Sequence, residues 1–270
     1  MAFEYPASVP LAQKPTPIEK LDRLSQIFEG PQIYVKRDDL TDIAMTGNKV
    51  RKLEFLLAEA LQKKCDLVIT CGSNQSNHAR TTAIAAAKLG LKCHLVLRNS
   101  MNAPFDGNLF LNRLVGAEFQ YVTPEEYMRI DDILQGVAQK LKTEGHKPYV
   151  IPEGGSNELG CIGYIQTMEE IAVQLKSLNL RIHHIIVPVG SGGTYAGMLL
   201  GKYIYDLPAK IHGIHVCDDE GYFIKKISKI IKDFNKKFEL NLAISKSEIS
   251  LIDGYVGKGY GLSSQEEINT

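Results

Sequence analysis

The chain has 270 residues, 44% of them apolar, with 31 basic and 31 acidic side chains. That length holds one large or two modest domains, and zero formal charge leaves no basic field for nucleic acid or an anionic membrane surface. The N-terminus lacks an apolar leader, no apolar run approaches a membrane span, and the five cysteines form no Cys-x-x-Cys pair. These features point to a cytoplasmic protein with reduced core thiols and no metal site.

After a Pro-rich lead-in, Val50, Leu53, Leu56, Leu57, Ala60 and Leu61 recur on one face of a helix that begins near Lys49. Asp66–Cys71 reads as a buried strand, Asn77–Leu89 as an Ala-rich helix, and Lys92–Leu97 and Ala117–Val122 as strands. Glu125–Thr143 reads as one helix, Pro148–Ile151 as extended chain and Leu159–Leu178 as a helix. Then follow a strand at His184–Val189, a helix from Thr194, a strand at Lys210–Val216 and a helix from about Gly221. Strands alternating with helices predict parallel sheets and an α/β fold. In the Lys-rich run 225–237, Ile227, Ile230, Ile231 and Phe234, with Phe223 just before it, have helical spacing, which predicts a solvated lysine face over a buried stripe. Ser264-Gln265-Glu266-Glu267 is a capping box that opens a helix, yet the chain ends at Thr270. A helix of one turn does not stand alone, so the chain is expected to be C-terminally incomplete.

Three loops carry candidate chemistry. Gly190-Ser191-Gly192-Gly193-Thr194 follows an apolar strand and precedes a helix, the setting of a one-phosphate cradle. It has neither the Gly-Lys-Ser/Thr of a Walker loop nor the glycine spacing of a dinucleotide site, which argues against a nucleotide-binding protein. Thr46-Gly47-Asn48-Lys49 puts a lysine in the first turn of a helix. A Schiff-base lysine must be unprotonated to attack, and the helix N-terminus and burial both favour the free amine. With Arg51 and Lys52, three cations stand at that helix start, an arrangement that calls for an anion nearby. The loop Gly72–His78 lies at the carboxyl end of a strand, where open α/β sheets bind ligands. Ser76 or Asn77 serves as the helix cap, and the same groups suit a carboxylate. His78 reads equally as a general acid or base or as a hydrogen-bonded structural imidazole. An amine, a carboxylate loop and a phosphate cradle together match what pyridoxal 5'-phosphate requires of a protein.

The segments Gly47-Asn48-Lys49-x-Arg51-Lys52-Leu53-Glu54, Gly72-x-x-Gln75-Ser76-Asn77-His78-x-Arg80, Ile151-Pro152-x-Gly154-Gly155-Ser156-Asn157 and Gly190-Ser191-Gly192-Gly193-Thr194 occur together. In this combination the chain resembles the D-cysteine desulfhydrase and 1-aminocyclopropane-1-carboxylate deaminase family, from about Pro6 to its end. The resemblance implies a fold-type II pyridoxal phosphate enzyme, tryptophan synthase β-like, with two lobes built on open twisted parallel sheets. It implies Lys49 as the Schiff-base lysine and Asn77 beside the phenolic oxygen of the cofactor. Ser76 takes the substrate carboxylate and shares in proton transfer, with Asn77 and His78 lining the substrate site. Gly190, Ser191, Gly192, Gly193 and Thr194 bind the phosphate, and Tyr260 matches an active-site tyrosine. Thr46 stands where many members carry glycine. Members also continue with strand–helix units that hold a second tyrosine and the residue facing the pyridine nitrogen.

The resulting expectation is a smaller lobe at 51–158 inserted into a larger cofactor lobe made of 1–50 and 159–270, joined near Gly154–Asn157. The expected activity is a lyase converting D-cysteine to pyruvate, hydrogen sulfide and ammonia, in a homodimer acting on a small amino acid. His78 favours this branch, since deaminases more often carry glutamine there. The alternatives are 1-aminocyclopropane-1-carboxylate deaminase and an inactive cofactor-binding fragment or half of a split enzyme.

Overall fold

The computed structural model describes residues 3–98, 104, 106–257 and 265–269. In chain order the elements are β1 (Ile18–Lys20), α1 (Asp22–Ile27), β2 (Tyr34–Lys36), α2 (Asn48–Gln62), β3 (Leu67–Ser73), α3 (Asn77–Lys88) and β4 (Lys92–Arg98). Next come α4 (Gly107–Leu114), β5 (Glu118–Val122), α5 (Pro124–Tyr127), α6 (Ile130–Thr143), β6 (Pro148–Val150) and α7 (Ile162–Ser177). The rest are β7 (His184–Val189), α8 (Gly193–Ile204), β8 (Lys210–His215), α9 (Glu220–Lys237), β9 (Ser250–Ile252) and α10 (Gln265–Asn269).

Two parallel sheets result, as the alternation of elements predicts. The first has the order β5-β4-β3-β6 and the second β7-β8-β9, while β1 and β2 pair antiparallel as a small separate ribbon. Period-2 alternation along β3 splits its side chains between two cores. Val68 joins the large cluster with α2 and α3, and Leu67, Ile69 and Cys71 pack with Leu134, Val137, Ala138 and Leu141 of α6. The first sheet is thus covered on both faces, which is why β3 reads as a continuous apolar run. On β7, by contrast, His184, Ile186 and Pro188 are exposed and only Val189 is fully buried.

The helix predicted over Glu125–Thr143 is two helices. Thr123 and Glu126 form a capping box that starts α5, and Arg129 leaves helical geometry at φ −113° and ψ 35°. The break lets Tyr127 donate to Glu153 Oε1 at 2.7 Å while α6 turns its apolar stripe onto the sheet. The short β1–β2 ribbon, α1, α4 and β9 are further elements that periodicity does not reveal, since none exceeds eight residues. In α9, Phe223, Ile227, Ile230, Ile231 and Phe234 are all buried, and Lys225, Lys229, Lys232, Lys236 and Lys237 are exposed. Lys226 departs from the expected solvated face: it is half-buried, and its Nζ lies 3.7 Å from Glu153 Oε2.

Helix α7 is the centre of the packing, and it approaches its neighbours without side chains at the crossings. A Cβ on Gly197 would lie 2.1 Å from the Cys161 carbonyl oxygen, and one on Gly163 would lie 2.4 Å from that of Arg51. Both clashes are with backbone, so α2, α7 and α8 keep their spacing only with glycine there. Glu54 of α2 is buried and draws in the N-terminal segment, accepting from the amides of Leu11 and Ala12 at 2.9 Å each and pairing with Lys14. The five cysteines are free, four of them buried. Among the described residues no helix is long and apolar enough to cross a membrane, and no three His, Cys, Asp or Glu side chains gather to hold a metal ion.

Candidate active site

Gly47 takes φ +100°, a conformation that favours glycine, and its amide donates to the Asp38 carbonyl and to Thr41 Oγ1 at 3.0 Å each. This turn starts α2 and sets Asn48 and Lys49 in its first turn. Asn48 Nδ2 donates to Thr194 Oγ1 at 2.9 Å, so the first turns of α2 and α8 are tied together. Lys49 Nζ donates to Asn48 Oδ1 at 3.3 Å and has no ion-pair partner among the described residues. Desolvation lowers its ammonium to about 8, and the Glu153 carboxylate opposes part of that shift.

The three cations of the α2 start have separate fates, which corrects the expectation that one anion serves them all. Arg51 is buried and already paired. Its Nε and Nη2 donate to the two oxygens of Asp38 at 3.0 and 2.8 Å, and Nη1 donates to Glu170 Oε2 at 3.0 Å. Lys36 also pairs with Glu170, and Tyr164 donates to Asp38 Oδ2 at 2.6 Å. Lys52 is buried without a carboxylate. Its Nζ donates to the Gly154 carbonyl at 3.1 Å and to Ser156 Oγ at 3.2 Å, and desolvation, reinforced by repulsion from Lys49, pushes its pKa well down. Lys49 and Lys52 are therefore two amines without an ion-pair partner among the described residues, and burial favours the uncharged form of both.

Beside them lies the glycine loop. Gly192 caps α8 in the left-handed region at φ +80°, and a Cβ on Gly193 would lie 2.5 Å from Ser156 Oγ. Ser156 is the hub, accepting from the Gly193 amide at 3.2 Å and sharing a hydrogen bond of 2.8 Å with Ser191 Oγ. The motif Ile151–Asn157 is therefore part of the cradle itself. Sequence reading missed Ser156 and Glu153 as site residues, although both stand inside that motif.

The opposite wall is the loop before α3. Ser76 is the N-cap, its Oγ accepting from the Ala79 amide at 3.2 Å, which leaves the hydroxyl hydrogen free to donate into the cleft. Gly72 permits this, since a Cβ there would lie 2.4 Å from Ser76 Oγ. His78 is buried. Thr70 Oγ1 donates to the Ile151 carbonyl at 2.9 Å, so it accepts from His78 Nε2 at 2.8 Å. Desolvation and the two nearby lysines hold the imidazole neutral, with Nδ1 buried and without a partner of normal geometry. Asn77 is exposed to the cleft, and its Oδ1 accepts from Asn108 Nδ2 at 2.9 Å. Asn108 belongs to α4, which sequence reading left out. Its amide donates to Gln75 Oε1 at 2.8 Å, so the Ser76 loop supplies the cap of α4.

One cleft of about 2670 Å³ is lined by Lys49, Ser76, Asn77, Gly190, Ser191 and Thr194, with His78 also on its wall. Gly192 and Gly193 shape the loop from behind, and Tyr260 lies outside the described residues. The donor set fits pyridoxal phosphate on three counts. The cradle offers the Ser191 and Thr194 hydroxyls and a helix N-terminus, with the Lys52 amine behind Ser156; Gly193 leaves no Cβ in it; and Lys49 is an amine with a depressed pKa.

Comparison with known proteins agrees with this chemistry. A family profile described as pyridoxal-phosphate dependent enzyme matches residues 9–270. A protein of Arabidopsis thaliana named bifunctional D-cysteine desulfhydrase/1-aminocyclopropane-1-carboxylate deaminase, mitochondrial, is 43% identical over 267 residues, covering 96% of this chain. The match spans only 65% of that relative's length. The D-cysteine desulfhydrase of Serratia proteamaculans is 39% identical over 257 residues, covering 93% of this chain and 76% of its own. A crystal structure of an ACC deaminase homologue superposes with a TM-score of 0.87 at 37% identity, over 96% of this chain and 76% of that one.

Proposed function

Since the chain belongs to the pyridoxal-phosphate dependent enzymes, we propose that it is a lyase that takes D-cysteine and water to pyruvate, hydrogen sulfide and ammonia. The observation that carries this reading is one cleft that brings together the Lys49 amine, with its pKa lowered to about 8, the glycine cradle and the hydroxyl-bearing start of α3. Bound there, the cofactor supplies a carbonyl that condenses with amines and a conjugated ring that spreads the charge left when a Cα proton departs.

The chain's own residues divide the remaining work. Gly190–Thr194, with Lys52 behind Ser156, hold the phosphate. Lys49 carries the cofactor and, with its lowered pKa, takes the Cα proton near neutral pH. Ser76 and the first amides of α3 receive the substrate carboxylate, and the Ser76 hydroxyl, on the same cleft as Lys49, shares in proton transfer. Asn77 donates to the phenolic oxygen. His78, neutral and bonded to Thr70, braces the loop from below. Tyr260 belongs to the same proposal on the strength of its motif alone. The lobe division at 51–158 is supported by the sheets, since β3 to β6 fall inside it and β7 to β9 outside. A homodimer in the cytoplasm completes the reading, and light scattering of the purified protein tests the dimer.

The decisive assay compares sulfide release from D-cysteine with 2-oxobutyrate release from 1-aminocyclopropane-1-carboxylate. Faster sulfide release is expected. The reverse ranking moves the chain to the deaminase reading, since the names of the relatives include both activities.

Ser76→Ala separates cap from ligand. Loss of the N-cap costs about 1 kcal/mol of stability. Loss of a hydrogen bond to a charged group weakens carboxylate binding by a further ~1.5–3 kcal/mol. Denaturant titration and the KM for D-cysteine read the two effects, and an unchanged KM removes Ser76 from the substrate site.

The Lys49 amine also sets a pH dependence. Its folded-state value of about 8 lies below its ordinary one. Burial of the charged form therefore costs stability below that pH, and the cost is relieved as pH rises from about 8 towards ~10.4. Capture of pyridoxal phosphate by the apoprotein should accelerate with pH and level off above about 8. A plateau only near ~10.4 would mean the amine is not desolvated.

A further inference from the structure

The orientation of the Asn77 amide is dictated by groups that have only one way to hydrogen-bond. A guanidinium can only donate, and Arg80 Nη1 donates to Asn108 Oδ1 at 3.3 Å. The Asn108 Nδ2 group therefore lies on the other side, where its two hydrogens go to the Gln75 carbonyl at 2.8 Å and Asn77 Oδ1 at 2.9 Å. A backbone carbonyl can only accept, so both ends of the chain of bonds demand the same orientation. With its oxygen engaged, Asn77 has its Nδ2 donor left to present to the cleft that it lines. The second arm of Arg80, Nη2, donates to the Thr46 carbonyl at 2.9 Å, three residues before Lys49. One guanidinium thus joins the lysine turn to the Asn77 side chain.

We infer that Arg80 and Asn108 are positioning residues that hold Asn77 Nδ2 as a donor toward the phenolic oxygen of the cofactor. The inference rests on the reading that Asn77 lies beside that oxygen. A donor at this place favours the deprotonated oxygen, whereas a reversed Asn77 amide presents an acceptor and favours the protonated one. Sequence gives no hint of the relay, because Asn108 lies 31 residues from Asn77 on a different helix.

The test uses the holoprotein and two substitutions. Asn108→Asp still accepts from Arg80 but has no hydrogen to give, so Asn77 turns to donate to it. Asn108→Leu keeps the size and removes the relay without adding charge. The readout is the ratio of deprotonated to protonated chromophore, taken from the absorbance bands at one pH. It should fall by about tenfold in Asn108→Asp, one pKa unit being the scale of one net hydrogen bond. A smaller fall in the same direction is expected in Asn108→Leu, with apoprotein melting temperatures within a few degrees of the parent. A ratio unchanged in both variants, a fall in the aspartate variant alone, or a loss of apoprotein stability in both overturns the relay while leaving the proposed function standing. A parent protein that retains no pyridoxal phosphate on Lys49 after borohydride reduction overturns that function, and the relay with it.

Discussion

Replacing Lys49 by alanine should, on the proposed function, abolish covalent retention of pyridoxal phosphate and lower D-cysteine turnover by at least about 10³-fold, since the proposed attachment amine and proton acceptor are lost together. The fold survives, because Lys49 makes one weak hydrogen bond, to Asn48, and its removal relieves a desolvated ammonium. The apoprotein should therefore melt at the parental temperature or slightly above it. Borohydride reduction followed by peptide mass mapping places the label on Lys49 in the parent and nowhere in the variant. A label on Lys52 would reverse the roles of the two lysines. That result would also be hard to reconcile with the hydrogen bonds that turn Lys52 towards Gly154 and Ser156.

Arg51→Leu should cost about 3–5 kcal/mol, the range for removing one partner of a buried ion pair, because it strands Asp38 and Glu170. Burial pushes the Glu170 carboxyl up, and the hydrogen bonds from Arg51 and Lys36 more than reverse this, leaving it below its usual value. A depressed carboxyl stabilises the fold above its unfolded-state pKa, and that contribution is lost as pH falls through the folded value. The variant should therefore unfold at a higher pH than the parent during acid titration, in addition to its lower urea midpoint. A loss below about 1 kcal/mol would show that Lys36 alone satisfies Glu170 and that solvent reaches Asp38.

The start of α2, the Ser76 loop and the glycine loop were legible because each is written in adjacent residues: a turn glycine, a cap and the first apolar positions of a helix. The partners of Arg51 were not. Asp38 lies 13 residues before it and Glu170 lies 119 residues after it, and no local period connects them. Sequence therefore showed three cations at a helix start without showing that one was already neutralised. The same holds for Ser156, whose hydroxyl reads as an ordinary loop group until Lys52, Ser191 and Gly193 are brought onto it. Residues 125–143 misled differently. Their composition suits one helix throughout, and the break at Arg129 goes with a bond from Tyr127 to Glu153, 26 residues on, that no local pattern shows.

The bond between Asn48 and Thr194 spans 146 residues, and that between Arg51 and Glu170 spans 119. Closing loops of such length carries an entropic cost that short-range contacts do not, so native contacts at this separation form late in folding. On a ribosome, the lysine turn emerges long before the strand and helix that complete the cradle around it. A nascent chain shorter than about residue 194 has the amine without the phosphate site, and should not acquire the cofactor. Cofactor uptake should then follow, rather than precede, the docking that brings the first turn of α8 beside that of α2, and refolding followed by both fluorescence and chromophore absorbance tests that order.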